Sequence, residues 1–295
     1  MNSTNHKFRY ETNQNWYKGN THIHSTRSDG GKTLVELGKM YSEAGYHFLF
    51  ITDHWKESDI RMMDLPQDLL WLDGVELDGK DQTDADFHVV CLGKVDGIDG
   101  NRKLVQVMQS ARQQGALLIL AHPSWCANSF EDALRWKFDG VEIYNHVCHW
   151  LNGKGNGGSY WNMMLKQNPN TLGFAVDDAH IRPEHPGWNG GWIVVNSTKL
   201  DEDGILSAIR DGNYYSSQGP AFHSITLEGD QVVIQTTPVK FIRLVGPSWN
   251  GIQLGSFDGA LLEEASIKIP MEWEYHYLEI EDNQGHLAWT NTLFG

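Results

Sequence analysis

The chain has 295 residues, 40% of them hydrophobic, and a formal charge of −15 from 38 acidic and 23 basic residues. Length and apolar content suit one large domain, or one domain with a small companion, around a full core. An acidic balance without any Lys/Arg cluster excludes the electrostatic footprint of a long nucleic-acid partner.

In chain order, WYKGNTHIHS predicts a strand, and TLVELGKMYSEAGY an amphipathic helix opened by the capping box Thr33-x-x-Glu36. The segments HFLFITDH, LLWLDGVEL and FHVVCLG predict strands. RKLVQVMQSARQQG then predicts a helix ending at Gly115, and ALLILAHP a buried strand stopped by Pro123. FDGVEIYN and TLGFAVDDAH continue the strands, with helical YWNMMLKQN between them, and GWIVVNS leads into the helix DEDGILSAIRDG. This alternation predicts an α/β fold with a mainly parallel sheet, open or closed, and helices outside. From about Phe222 the helical period disappears. SITLEG, QVVIQTT, VKFIRLVG, ASIKIPM, YHYLEIED and LAWTN alternate between Gly, Asp, Asn and Pro turns, which predicts a small antiparallel β-sandwich. The division expected is residues 1–221 and residues 222–295, with the second unit packed on the first.

Polar residues recur at the ends of these strands. His22 and His24 share one face by the period of two, and Asp29 follows in a glycine-bearing loop. Asp53 and His54 end one strand, Glu76 ends another, His88 lies within FHVV, and His122 ends LLILAH. Glu142 and Asn145 end VEIYN, and Asp178 and His180 end FAVDDAH. In a parallel barrel such ends converge on one face. Six imidazoles and several carboxylates gathered without matching Lys or Arg are costly unless cations sit among them. His, Asp and Glu donors without sulfur suit zinc, manganese or iron. Nine donors exceed the needs of one ion, so two or three divalent ions are expected, with Glu76 as the bridge.

Other residues read more plainly. His6, His47, His146, His149, His223, His276 and His286 lack this placement and are read as structural. Asp53 is expected to orient a neighbouring imidazole. Scattered tryptophans such as Trp71, Trp136, Trp192 and Trp273 read as packing. Cys91, Cys126 and Cys148, odd in number and without CxxC spacing, read as small buried hydrophobes rather than a disulfide frame or thiolate zinc site. The polar start MNSTNHKFRY and the lack of an apolar run of bilayer length give a cytoplasmic expectation with no membrane partner.

The motifs HIHSTRSDG, ITDH, GVEL, FHVVCLG, AHP and DDAH, in this order, resemble those of the PHP (polymerase and histidinol phosphatase) superfamily. The resemblance implies a distorted (β/α)7 TIM-like barrel with a trinuclear metal centre at the strand ends. It places His22, His24, Glu76 and Asp178 on a first metal, Glu76, His88 and His122 on a second, and Asp29, His54 and His180 on a third. Asp29 stands where some members carry a histidine. DGNYYSSQGP and LAWTNTLF resemble, more loosely, segments of the CehA/McbA group of that superfamily, which carries a small C-terminal β-domain and is named for hydrolases of an aryl carbamate.

The resulting expectation is a metal-dependent phosphoesterase that uses an ion-activated water on a small phosphomonoester or nucleotide. Arg27 and Arg182 are the candidates for neutralising phosphoryl oxygens, His185 for protonating the leaving group, and Asn145 for orienting substrate. A carbamate, ester or amide hydrolase on the same cluster is the first alternative. A non-catalytic metal-binding regulatory module is the second. Oligomeric state is left open.

Overall fold

The computed structural model of the chain describes residues 7–10, 15–57, 59–98, 102–255 and 257–295; His6 lies outside the described residues. Strand β1 (Asn15–Asn20) is followed by helix α1 (Leu34–Glu43). The Thr33 hydroxyl accepts from the Glu36 amide while the Glu36 carboxylate accepts from the Thr33 amide at 2.8 Å, the reciprocal cap that the sequence announces. Strand β2 (Phe48–Ile51) is buried at all four positions. Phe48 and Phe50 join one apolar cluster with Leu72 and Phe174, and Leu49 and Ile51 join another with Leu37 and Tyr41, so FLFI has no polar face to spare.

Strands β3 (Leu70–Lys80) and β4 (Asp86–Leu92) form a hairpin in which Asp78 opposes His88. The connection, residues 81–85, is too short for a crossover, so the pair runs antiparallel. Helix α2 (Leu104–Gln113), β5 (Leu117–Leu120), α3 (Phe130–Arg135), β6 (Gly140–Asn145), α4 (His146–Asn152), α5 (Gly158–Gln167) and β7 (Leu172–Val176) follow. Then come β8 (Trp192–Ser197), α6 (Glu202–Arg210) and β9 (Tyr214–Ser217). Strand pairs β1–β2, β2–β3, β5–β6 and β6–β7 are parallel. Pairs β1–β8, β3–β4, β4–β5 and β8–β9 are antiparallel, so the sheet is mixed rather than mainly parallel.

The last third adds β10 (Phe222–Glu228), β11 (Gln231–Val239), β12 (Phe241–Val245), β13 (Gly251–Gly255), β14 (Leu262–Lys268), β15 (Tyr277–Glu281) and β16 (Leu287–Thr290). Strands β10, β11 and β14 make a separate three-stranded sheet; β12, β13, β15 and β16 continue the large sheet through the β16–β9 pair, giving thirteen strands with β7 at one edge. Phe222, Ile225, Val232, Ile234 and Ile267 of the small sheet share an apolar cluster with Ile242, Leu244, Leu278 and Ile280 of the large one.

No closed barrel is formed among the described residues. At the β7 edge, side chains take the place of a ladder. The Ser216 hydroxyl donates to the Gly173 carbonyl and accepts from the Ala175 amide, both at 2.9 Å, and the Tyr214 hydroxyl donates to the same carbonyl at 3.1 Å. No helix among the described residues is long and apolar enough to cross a membrane.

Candidate metal centre

The tips of β1, β2 and β7 are drawn together beyond their ladders. The Asp178 amide donates to the His22 carbonyl and the His24 amide to the Ala179 carbonyl, both at 3.0 Å, while the Thr52 amide donates to the Ile23 carbonyl at 3.0 Å. The segment is therefore extended, and its period of two sends fully buried Ile23 into the core and both imidazoles to the opposite side. The chain then turns: the Ser28 and Gly30 amides both donate to the Ser25 carbonyl, at 3.1 and 3.0 Å. A Cβ at Gly30 would collide with the His24 carbonyl, so the turn requires glycine. Among the described residues Asp53 is hydrogen-bonded to serines of a loop and to no imidazole, which corrects the expectation for it. Its carboxylate accepts from the Ser25 amide (2.7 Å), the Ser25 hydroxyl (2.6 Å) and the Ser28 hydroxyl (2.7 Å), and so fixes the loop that carries Asp29.

Glu76 is the pivot of the site. Its Oε2 lies 3.0 Å from His22 Nε2, 3.1 Å from His24 Nε2 and 3.3 Å from His54 Nε2; its Oε1 lies 2.7 Å from His88 Nδ1 and 3.3 Å from His122 Nε2. Donor atoms of three residue groups lie within 4.8 Å of one another: His22, His24, Glu76 and Asp178; His24, Asp29, His54 and His180; and His54, Glu76 and His88. His122 stands between groups, 3.3 Å from Glu76 Oε1 and 3.7 Å from Asp178 Oδ2. All nine candidate ligands thus converge. His54, placed with the third metal by the resemblance, also faces Glu76.

Further contacts set which ring nitrogen is free. Glu142 Oε1 receives His22 Nδ1 at 2.6 Å; a carboxylate only accepts, so Nδ1 carries a hydrogen, and Nε2 is the nitrogen that a cation could claim on displacing a proton. Asp78 does the same for His54 Nδ1 at 2.9 Å, and the Asp178 carbonyl for His180 Nδ1 at 2.9 Å. Glu142 Oε2 accepts from the His122 amide and from Asn145 Nδ2, both at 2.9 Å. Asn145 is fully buried and also donates to Asp178 Oδ2 at 3.1 Å, so it braces two carboxylates and is not exposed to a substrate. His122 (φ 25°) and Asp178 (φ 55°) adopt the left-handed region that non-glycine residues avoid, a cost the surrounding structure imposes at the donors themselves.

Burial by itself would push the His22 imidazole down, but the carboxylates of Asp178, Glu76 and Glu142 outweigh it and hold it well above the usual range. His24, buried against Asp178 and Glu76, rises to about 9. Burial would raise Glu76, yet His22, His122 and His24 draw it well below the usual carboxylate range. Against the same desolvation, His180 and His24 lower Asp29, and His22 and His24 lower Asp178. Protons and cations compete for these lone pairs.

The residues fit divalent cations. A carboxylate offers about four lone-pair sites, so the two oxygens of Glu76 cannot satisfy five converging imidazoles as hydrogen-bond donors. His24 Nδ1 is buried without any hydrogen-bond partner and faces Asp29 Oδ1 at 3.6 Å. The set is all nitrogen and oxygen, which suits zinc, manganese or iron and excludes a thiolate site.

The expected catalytic groups, Arg27, Arg182 and His185, are each partly exposed. Arg27 Nη2 donates to Asp59 Oδ1 at 2.9 Å and to the Glu57 carbonyl at 3.1 Å. Arg182 and His185 face each other across a two-way backbone bridge (3.1 and 2.9 Å), with Arg182 Nη2 3.4 Å from His185 Nδ1. The His185 ring stands 5.9 Å from that of His180, edge-on. His47 accepts from the Lys18 amide, His276 bonds the Pro270 carbonyl and His286 pairs with Asp282, all outside the cluster. Sequence reasoning missed Asp78 and Cys126, whose Sγ lies 3.5 Å from His122 Nδ1. Asp78 had a legible signal, being two residues from Glu76 on the same strand face; Cys126 had none.

No sequence-family model matches the chain, and no curated protein matches it. Among solved structures it is similar to a two-domain protein containing a predicted PHP-like metal-dependent phosphoesterase from Bacteroides vulgatus, at 13% identity and TM-score 0.56, covering 98% of each chain. It is also similar to a proposed metal-dependent phosphoesterase from Bifidobacterium adolescentis (14% identity, 65% of this chain and 96% of that one, TM-score 0.43). An amidohydrolase from Chromobacterium violaceum with bound sulfate and no metal matches at 12% identity, 66% of this chain, 96% of that one and TM-score 0.43. The first likeness shows a shared fold along the whole chain.

Proposed function

We propose that the chain is a metal-dependent phosphoesterase that hydrolyses a small phosphate monoester or nucleotide. The observation that supports this most is the convergence of five imidazoles on the two oxygens of buried Glu76, with Asp178 in the same donor group and Asp29 in a group that shares His24 and His54 with those imidazoles. One cation would be held by His22, His24, Glu76 and Asp178, a second by Glu76 and His88 with His122, and a third by Asp29, His54 and His180. Bound there, zinc, manganese or iron supplies a water of lowered pKa and neutralises phosphoryl oxygens. The chain's own residues do the rest. Glu142 and Asp78 fix the imidazoles, and Asp53 fixes the Asp29 loop. His185, with Nδ1 turned to Arg182, keeps Nε2 to donate a proton to the leaving group. In this reading residues 1–221 carry the reaction and residues 222–295 form a small antiparallel companion domain.

One observation favours a second reading. Arg27 is held by Asp59 and the Glu57 carbonyl, which leaves the site poorer in cationic side chains than phosphoryl transfer rewards. A carbamate, ester or amide hydrolase would not need that charge. The deciding test is hydrolysis by protein reconstituted with manganese or zinc, comparing p-nitrophenyl phosphate, its bis-ester, nucleoside monophosphates and an aryl N-methylcarbamate. Phosphate release that vanishes in His22→Ala/His24→Ala supports the first reading. Carbamate turnover with silent phosphates replaces it with the second, and silence throughout with bound metal favours a non-catalytic module.

A further inference from the structure

Among the described residues, every sheet edge but one is guarded. At β7 the hydroxyls of Tyr214 and Ser216 take up backbone groups of Gly173 and Ala175. The outer strands of the small sheet carry charge, Glu228 on β10 and Glu263, Glu264 and Lys268 on β14. Strand β13 closes the other side of the large sheet, and its sequence, Gly-Ile-Gln-Leu-Gly, has neither charge nor proline to keep a second strand away.

The open side has a definite register. At the β12–β13 turn the Gly246 amide donates to the Asn250 carbonyl at 3.0 Å. Ladder bonds alternate from there, so Ile252 and Leu254 spend their N–H and C=O groups on Leu244 and Ile242, while Gly251, Gln253 and Gly255 turn theirs to the edge. Those three residues are exposed, and the Gly255 carbonyl accepts from Gln253 Nε2 at 3.2 Å instead of from β12. Ile252 and Leu254 pack against the apolar cluster between the two sheets but stay partly open to solvent, so this cluster lacks cover at the β13 edge.

The chain around Gln253 has the same chemistry in both directions. One residue to each side is a branched aliphatic (Ile252, Leu254), two residues to each side a glycine (Gly251, Gly255), and four residues to each side an aromatic (Trp249, Phe257). The aromatics are 93% and 87% exposed, and the Phe257 ring stands edge-on to that of Phe241 at 5.2 Å. A twofold contact joins residue i to j and j to i, which is what such a string satisfies when two copies of β13 run antiparallel about Gln253. Gln253 then exchanges both ladder bonds with its copy, Ile252 meets Leu254 in a close pair that extends the apolar cluster, and Trp249 comes beside Phe257. In a chain of net charge −15, an uncharged strand is also where two copies approach with least repulsion.

We propose that β13 pairs antiparallel with β13 of a second copy of this chain, centred on Gln253, to form a twofold dimer. One strand pair and two aromatic pairs make a contact smaller than the roughly 1,200–2,000 Å² of a standard stable interface, so the dimer exchanges with monomer in the micromolar range. The contact is separate from the metal donors and does not depend on how they react.

The test is sedimentation velocity of the full-length protein across the micromolar range, with melting temperature read alongside. Wild type is expected to pass from 33.5 kDa to twice that mass as concentration rises. Gln253→Pro removes an N–H that β12 does not use, and is expected to stay monomeric at every concentration with an unchanged melting temperature. Trp249→Ala, at an exposed turn position, is expected to weaken association at least tenfold. Gln253→Cys reads the register: on the axis its copies lie about 5.5 Å apart at Cα, within disulfide reach, so mild oxidation gives a covalent dimer much faster than from Lys39→Cys, an exposed position on α1. This cross-link decides the matter even where the proline lowers the melting temperature. A wild type that stays monomeric throughout, a dimer that folded Gln253→Pro leaves intact, or cross-linking no faster from position 253 than from position 39 overturns the proposal.

Discussion

Replacing Glu142 with glutamine tests the wiring of the metal donors without changing the shape of the side chain. In the native arrangement its two oxygens accept from His22 Nδ1 (2.6 Å), the His122 amide (2.9 Å) and Asn145 Nδ2 (2.9 Å). A glutamine has one acceptor oxygen, and either orientation fails. With its oxygen toward His22, its NH2 confronts two donors; the Asn145 amide keeps its bond to Asp178, and the His122 amide is left unpaired at about 1–3 kcal/mol. With its NH2 toward His22, Nδ1 must accept, and the hydrogen moves to Nε2, the atom that faces Glu76 and His24. That removes a ligand lone pair, and loss of such an orienting contact costs roughly 10–100-fold in metal affinity. We expect Glu142→Gln to lose about 2 kcal/mol in urea unfolding with EDTA, and at least tenfold in zinc affinity by chelator competition. A variant that unfolds at the wild-type urea concentration and binds zinc within threefold of wild type would refute the assignment of Glu142 as the group that sets the His22 tautomer.

Three further outcomes are expected. Ser216→Ala leaves the buried Ala175 amide without an acceptor at the β7 edge and should cost about 1–3 kcal/mol, read by denaturant unfolding; no change would mean the stitching is incidental. Asp81, in the β3–β4 turn, would be raised by burial, but Thr83, Arg135 and Trp136 outweigh this and bring its carboxyl to about 2. Its folded value lies below its unfolded one, so its contribution is fully present above about pH 4 and lost as pH falls through about 2. Asp81→Asn should therefore cost about 1 kcal/mol at pH 7, a gap that closes over that window in urea titrations and that would contradict the assignment if it stayed constant. On the proposed reading, His185→Ala should lower kcat about 10²-fold or more for an alkyl phosphate and far less for p-nitrophenyl phosphate, whose leaving group needs no proton; equal losses would assign His185 another task.

Much of the architecture is local enough to read from the chain. The capping box at Thr33 and Glu36, the unbroken apolar FLFI, and the periodic faces of α1, α2, α5 and α6 each rest on residues within a turn or two of one another. The short helices α3 and α4 carry weaker signals: α4 begins at a strand end and is capped by Asn145, a residue that the site also uses. β13, Gly-Ile-Gln-Leu-Gly, is a strand whose glycines suggest a turn and whose pairing with β12 supplies what its own composition lacks. Tertiary partners were the hardest to foresee. A carboxylate beside a histidine in sequence, as in Asp53-His54, suggested an orienting pair, whereas Asp53 serves the Ser25–Ser28 loop and the histidine's partner is Asp78 on another strand.

His88 held the clue to the mixed sheet. Every other imidazole of the cluster lies at or beyond the carboxyl end of its predicted strand, where parallel strands deliver their side chains to one face. His88 instead sits near the start of β4, with four more strand residues after it. A parallel β4 would carry those residues past the site and leave His88 at the wrong end. Only a reversed strand puts its beginning beside Glu76, and the hairpin does so by opposing His88 to Asp78, two residues beyond Glu76 on the same face. The hairpin thereby places three donors, Glu76, Asp78 and His88, on one patch of sheet. Two of them take part in the pivot, and the third orients His54. In a sequence of this kind, a histidine at the wrong end of a predicted strand is a statement about strand direction as much as about metal binding.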